Sequence, residues 1–227
     1  MKTKINTDSL SNMYYQMKNN VIDSGFEREI EWQSLRSPDD FSESDLLREI
    51  AWVILCSGFN EAVIRKKFSY ISLCFCDWES AEEIFLNSEN CKATALRTFN
   101  NESKIDAIIK VAGTVLCAGF DDIKGKIIEE PISTLIDFPY IGKVTALHLA
   151  KNLGFPVAKP DRHLVRMAGL IGYCDVQDMC NKISTISGDP IQVVDIVLWR
   201  FSTLKRESGT SSLLNGLEAT SNNPVYM

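Results

Sequence analysis

Apolar positions recur at spacings of three and four along most of the chain, the pattern of helices that bury one face. Residues 8–19 and 26–36 read as two helices with mixed faces, the second broken by Ser37-Pro38-Asp39-Asp40. Ser42, with Asp45 three positions on, has the form of a capping arrangement. It opens a strongly apolar helix, LLREIAWVILCSG (46–58), which ends at Gly58. Helices follow at 61–76, 79–87, 91–98 and 102–118, punctuated by Asp77, Asn87-Ser88 and Asn100-Asn101. The last sets Ile105, Ile108, Ile109, Ala112, Val115 and Leu116 on one face. Gly119 and the mixed-charge stretch 121–130 read as a lead-in to the next pair of helices. No segment alternates apolar and polar residues over more than a few positions, so the pattern predicts an all-α fold.

The stretch from 131 onward is the most sharply patterned. Ile132, Leu135, Ile136 and Phe138 recur at helical spacing behind Pro131, a residue tolerated in a first helical turn. Pro139 ends that helix, because it disfavours helical geometry at Phe138. Gly142 is expected to supply a turn geometry closed to other residues. Val144, Leu147, Leu149, Ala150 and Leu153 give a second helix its apolar face, and Gly154 closes it. Such a hairpin leaves amides at the start of its second helix facing outward, a place for a phosphate. After an extended linker, Asp161 is placed to cap a helix starting at Arg162. Three further helices are predicted near 162–171, 175–186 and 190–204, the last carrying Asp195 as a polar exception within VVDIVLWRF. From Lys205 the chain turns to Ser, Gly, Thr and Asn, and 206–227 reads as a loosely held tail.

Composition changes this picture little, and charge changes it more. A chain of 227 residues can bury one full core or two small ones, and 45% hydrophobic with 24% charged residues is ordinary for a globular protein. Apolar runs are too short and interrupted to span a bilayer, and the first twenty residues lack the apolar core of a secretory signal. Seven cysteines, an odd number without a paired framework, predict free thiols in a reducing compartment. Cys74 and Cys76 stand in an apolar segment and read as buried thiols rather than metal ligands. The net charge of −6 argues against a general nucleic-acid binder. Yet from 139 to 170 the bases Lys143, Lys151, Lys159, Arg162 and Arg166 surround one acid, Asp161, while residues 21–50 are crowded with acids. A solvated helix face is the plain reading of such a cluster. The hairpin inside it favours a basic strip around one carboxylate.

FPYIGKVTA (138–146) resembles the turn of the helix-hairpin-helix base-excision DNA glycosylases, Leu/Phe-Pro-Gly-Ile/Val-Gly-x-x-Thr-Ala. Lys159-Pro160-Asp161 stands where that family has its Gly-Pro-Asp element and catalytic aspartate. The resemblance is sharp over 131–170 and architectural over the rest of 43–205. It implies two helical lobes with the active cleft between them. One is a helical barrel domain, 43–158, that ends in the helix-hairpin-helix at 131–154. The other is built from 1–42 plus 159–205.

The activity implied is base-excision repair of damaged DNA. A damaged base is flipped from duplex DNA into the cleft, and its N-glycosidic bond is hydrolysed with Asp161 as the catalytic carboxylate. Tyr140, Gly142, Lys143, Thr145, Lys159 and Arg162 would contact the DNA backbone. Backbone carbonyls of Ile136, Phe138 and Ile141 would hold a sodium or potassium ion that bridges to a phosphate. Phe59 and Asn60 are candidates to wedge into the duplex, or else Phe59 is core and Asn60 caps the next helix. Trp52, Cys56, Val144 and Trp199 are candidates for the base pocket, although the two tryptophans and Cys56 also suit a core. Only Cys174 and Cys180 follow Asp161, so the iron–sulfur cluster of the endonuclease III branch is not expected, and no cofactor is required.

Departures from the family pattern carry information. Bifunctional members have a lysine nucleophile where this chain has Val144, with Lys143 one residue earlier. One step along a helix turns a side chain by about 100°, so Lys143 is expected to face a phosphate. Water is then the expected nucleophile, and an alkylated purine the favoured substrate. The alternatives are a bifunctional glycosylase/AP lyase for an oxidised base using Lys143, and a non-catalytic helix-hairpin-helix DNA-binding protein. A monomer is expected, acting on double-stranded DNA and not on membranes. Its place would be the nucleoid-bearing cytoplasm in a bacterium or the nucleus in a eukaryote.

Overall fold

Side-chain caps set where most of the helices begin. The computed structural model describes residues 5–208, and every regular element among them is helical. α1 (Thr7–Val21) starts at Asn6, whose Oδ1 accepts the Ser9 amide at 2.8 Å. A π-helical turn at Ile22–Phe26 joins it to α2 (Glu27–Ser34), so the two predicted N-terminal helices run on almost without a break. α3 (Glu43–Cys56) opens on a full capping box, Ser42 Oγ accepting the Asp45 amide and Asp45 Oδ2 accepting the Ser42 amide. α4 (Glu61–Cys74), α5 (Ala81–Leu86) and α7 (Glu102–Ala118) are capped by Asn60, Ser80 and Asn101, with α6 (Ser88–Thr98) between the last two. α8 (Phe120–Glu129), α9 (Pro131–Ile136), α10 (Lys143–Asn152), α11 (Arg162–Leu170), α12 (Val176–Ser187) and α13 (Ile191–Ser208) complete the order. The tail predicted over 206–227 lies outside the described residues from 209 on.

Three local readings of the sequence are corrected. Residues 121–130 are not a lead-in but most of α8, because Ile123 and Ile127 lie one helical turn apart and are both buried. The helix predicted to run to Cys76 stops at Cys74. Cys76, Asp77 and Trp78 then take φ of 54°, 50° and 63°, a left-handed turn that costs each L residue energy. Burial of Trp78 offsets that cost. Its ring stacks 5.2 Å from Phe75, and its Nε1 donates to Ser72 Oγ at 2.9 Å. Cys74 and Cys76, read as buried, are half-buried, and Cys91 is the buried thiol of this region.

The chain forms two compact units. Among the described residues, one comprises those up to Leu35 together with those from Pro156 to 208, and the other Arg36–Phe155. In the first, α1 packs on α12 and α13 through Leu10, Tyr14, Met17, Met179, Val194 and Leu198. Polar ties reinforce this core. Tyr14 Oη donates to Asp189 Oδ2 at 2.6 Å, and Arg200 reaches Glu29 from α13 to α2 with bonds of 2.7 and 3.0 Å. In the second unit α3 is the central helix, its Leu46, Ile50, Val53 and Ile54 buried among α4, α7 and α10. No helix among the described residues is long and apolar enough to cross a membrane.

Candidate functional site

The helix–turn–helix of α9 and α10 belongs to the second unit. α10 is held to α3 by buried Ala146, Leu149, Ala150 and Leu153 and by Asn152 Nδ2 donating to Glu49 Oε2 at 2.9 Å. Burial pushes the Glu49 carboxyl above the usual range, and the Asn152 bond opposes that shift. Val144 does not join the apolar face. It is 44% exposed, and Ala146 takes the inward position.

The turn itself is built differently from the expectation. Gly142 has φ −97° and ψ −179°, an extended geometry open to any residue. The left-handed residue is Tyr140, with φ +64°. Phe138 O accepts the Ile141 amide at 3.2 Å, which leaves one lone pair of that carbonyl for another ligand. The Gly142 amide, expected to face a phosphate, instead donates to Thr145 Oγ1 at 2.6 Å. Glycine has no side chain to return the bond. The amides of Lys143, Val144 and Thr145 are therefore the first-turn donors without an internal partner among the described residues. Lys143 is exposed at the first position of α10.

A Cβ on Gly142 would meet nothing nearer than Thr145 Oγ1 at 3.9 Å. Gly142→Val should therefore change stability by less than about 1 kcal/mol, measured by urea unfolding. If a DNA backbone approaches this turn, the same variant weakens binding to every duplex about equally, because phosphate contacts carry no sequence information. A changed preference among duplexes at unchanged affinity would contradict that assignment.

Asp161 lies in the first unit, where a strap leads into α11. Gln177 of α12 accepts the Ala158 amide at 2.8 Å and donates to Pro156 O at 3.3 Å. Asp195, 2% exposed on α13, accepts the Lys159 amide at 2.7 Å with Oδ2. The Asp161 amide closes on Lys159 O at 2.8 Å. Asp195 stood out in the sequence as a polar exception in an apolar helix, but its partner could not be read there. Asp161 is itself the N-cap of α11. Its Oδ1 accepts the amides of His163 at 2.8 Å and Leu164 at 3.0 Å. Its Oδ2 takes no partner among the described residues. Arg162 is exposed beside it, and Lys159 is half-buried.

The other candidates separate by unit. Phe59 is 45% exposed in the turn between α3 and α4, its ring 5.2 Å from Phe99. Asn60 is a cap, its Oδ1 accepting the Ala62 amide at 2.9 Å. Trp52 packs edge-on against Phe68 at 5.0 Å with Arg65 over its ring, and Cys56 ends α3 half-buried. Trp199 is in the first unit, half-buried under the Arg200 guanidinium. The basic strip loses one member, since Lys151 is buried. Lys143 belongs to the second unit and Lys159, Arg162 and Arg166 to the first. Among the described residues no group of His, Cys, Asp or Glu is arranged to hold a metal ion.

Sequence reasoning missed Lys104. This buried lysine of α7 donates to the carbonyls of Ile54, Leu55 and Ser57 at the end of α3. Burial lowers its pKa from the ordinary lysine value. No family model matches the chain, and no curated protein matches it.

Proposed function

We propose that the chain is a helix-hairpin-helix DNA glycosylase that removes a damaged base from duplex DNA, with Asp161 as its catalytic carboxylate. The observation that carries this reading is the Asp161 side chain, one oxygen fixed by two amides and the other without a partner among the described residues. Cleaving an N-glycosidic bond builds positive charge on the sugar. A fixed carboxylate stabilises that charge, and its open oxygen can orient the attacking water and take its proton. The base departs with the bonding electron pair, and the water oxygen bonds to the sugar carbon.

The amides of Lys143, Val144 and Thr145, without an internal partner among the described residues, are an anion contact for the DNA backbone, with the exposed Lys143 ammonium beside them. The family resemblance adds a sodium or potassium ion at the carbonyls of Ile136, Phe138 and Ile141. Only Phe138 O carries a turn bond among the described contacts. The target base would be extruded from the stack to reach the carboxylate.

A panel of duplexes, each with a single damaged base, tests the reading. Alkali-sensitive sites after incubation support a glycosylase, and the panel reports which base is removed. Binding without base release would instead support the non-catalytic DNA-binding protein. Neither would reduce the hairpin to a structural element.

Val144 at the lysine-nucleophile position makes water the nucleophile and the product an intact strand with an abasic site. An apolar residue there adds no like charge beside a cationic alkylated purine, which favours that substrate class. Borohydride should accordingly trap no covalent protein–DNA adduct. An adduct lost in Lys143→Gln would replace this mechanism with the lyase and point to an oxidised base.

A further inference from the structure

Three thiols of the second unit converge where α4, α5 and α6 meet. Cys74 ends α4, Cys76 begins the left-handed turn that follows it, and Cys91 lies on α6. Cys76 Sγ donates to Glu83 O at 3.9 Å, and Cys91 Sγ donates to Ile84 O at 4.0 Å. Those two carbonyls are consecutive on α5, and consecutive carbonyls of a helix lie side by side. The two sulfurs therefore reach one spot from separate elements, and the Cys76 thiol is also in hydrogen-bonding contact with that of Cys91. Buried Trp78 holds the turn that presents Cys76. The two thiols differ in access, since Cys76 is half-buried and Cys91 buried. Burial, then the neighbouring Cys76 and Cys74 sulfurs, push the Cys91 thiol up to about 12.

We propose that Cys76 and Cys91 are a disulfide-exchange site, closing on each other when the protein meets a small disulfide such as glutathione disulfide. The site stands on the second unit alone and assumes nothing about DNA. Cys76 is the sulfur a small disulfide can reach. It attacks one sulfur of that molecule, which forms a mixed disulfide and releases one thiol. Cys91 is protonated and sealed from solvent, so it does not start the exchange. It lies beside the Cys76 sulfur, however, and attacks it next. The Cys76–Cys91 bond forms, and the second half of the small disulfide leaves as a thiol with the Cys91 proton. The two electrons of the pair thus pass to the small disulfide, which ends as two thiols. The new bond closes a loop that contains all of α5 and ties the left-handed turn to α6. Cys74 is not the partner proposed, because it donates to neither α5 carbonyl among the described contacts.

The test equilibrates the reduced full chain with a fixed ratio of glutathione to glutathione disulfide. Remaining thiols are then alkylated, and the peptides are mapped by mass spectrometry. Two of the seven thiols should disappear as one Cys76–Cys91 link. Cys117 and Cys174, although exposed, should carry glutathione at most. Cys91→Ala should stop the exchange at the Cys76–glutathione adduct and raise its yield at least about tenfold over wild type. Cys76→Ser should leave Cys91 reduced, and Cys74→Ser should leave the link in place. In concentrated urea the ratio of linked to reduced wild-type protein should fall at least about tenfold, because the fold no longer holds the sulfurs together. A link from Cys74, pairing between chains, or a wild-type Cys76 that carries as much glutathione as Cys91→Ala overturns the proposal. So does a Cys76–Cys91 link as abundant in urea as in the folded protein.

Discussion

Asp161→Asn should abolish base release while leaving the fold and duplex affinity close to wild type. The Asn side-chain oxygen can still accept the His163 and Leu164 amides that Asp161 Oδ1 accepts now. What it cannot supply is the negative charge that stabilises a cationic sugar, or a base for the water proton. Single-turnover base release should fall about a thousandfold, within the range for loss of a general base or a preorganised charge. Asp161→Ala separates the two roles. It should lose the chemistry and about 1 kcal/mol of stability as well, because the cap goes with the charge. An Asp161→Asn protein active to within about tenfold of wild type would remove Asp161 from the chemistry and leave it a cap.

Gly154→Ala should strongly destabilise the fold. Gly154 has φ +96°, a region closed to side chains at modest cost, and a Cβ there would lie 2.7 Å from Ser37 N and C and 2.8 Å from Arg36 C. These are backbone atoms, which cannot swing aside as a side-chain end can. Conformational strain and overpacking add to a loss of about 3–5 kcal/mol, a fall in melting temperature on the order of 10 °C for a chain of this size. The contact ties the end of α10 to the segment before α3, so the hairpin should loosen with it. Thermal unfolding followed by circular dichroism checks this. A variant melting within about 2 °C of wild type would show that the Arg36–Ser37 backbone yields without cost.

Local physics accounts for what could be read along the chain. The spacing of Leu46, Ile50, Val53 and Ile54 specifies a buried helix whatever it packs on, and the Ser42–Asp45 box involves atoms only three residues apart. The capping geometry of Asp161 is equally local, and so is the stop at Gly154, which its positive φ explains. Local pattern also has limits within single elements. α8 went unread because its mixed charges hid an apolar pair, Ile123 and Ile127, that only a burying partner makes decisive.

Tertiary structure decided the rest, because those facts depend on groups distant in sequence. Gly142 matches the family turn by name, yet the turn's left-handed residue is Tyr140, and Thr145 occupies the glycine's amide. Val144 belongs to an apolar pattern but faces solvent, since a short helix of 10 residues has one buried face and Ala146 fills it. Asp195 was visible as an oddity, but its partner, the Lys159 amide, lies 36 positions away. Lys104 gave no signal at all. A lysine in an amphipathic helix reads as solvated, and only the fold brings it within reach of the Ile54, Leu55 and Ser57 carbonyls. Sequence determines a helix's phase and ends through neighbours within one turn. Which face finds a partner, and which polar group is sealed from water, is settled only when separate helices close on one another.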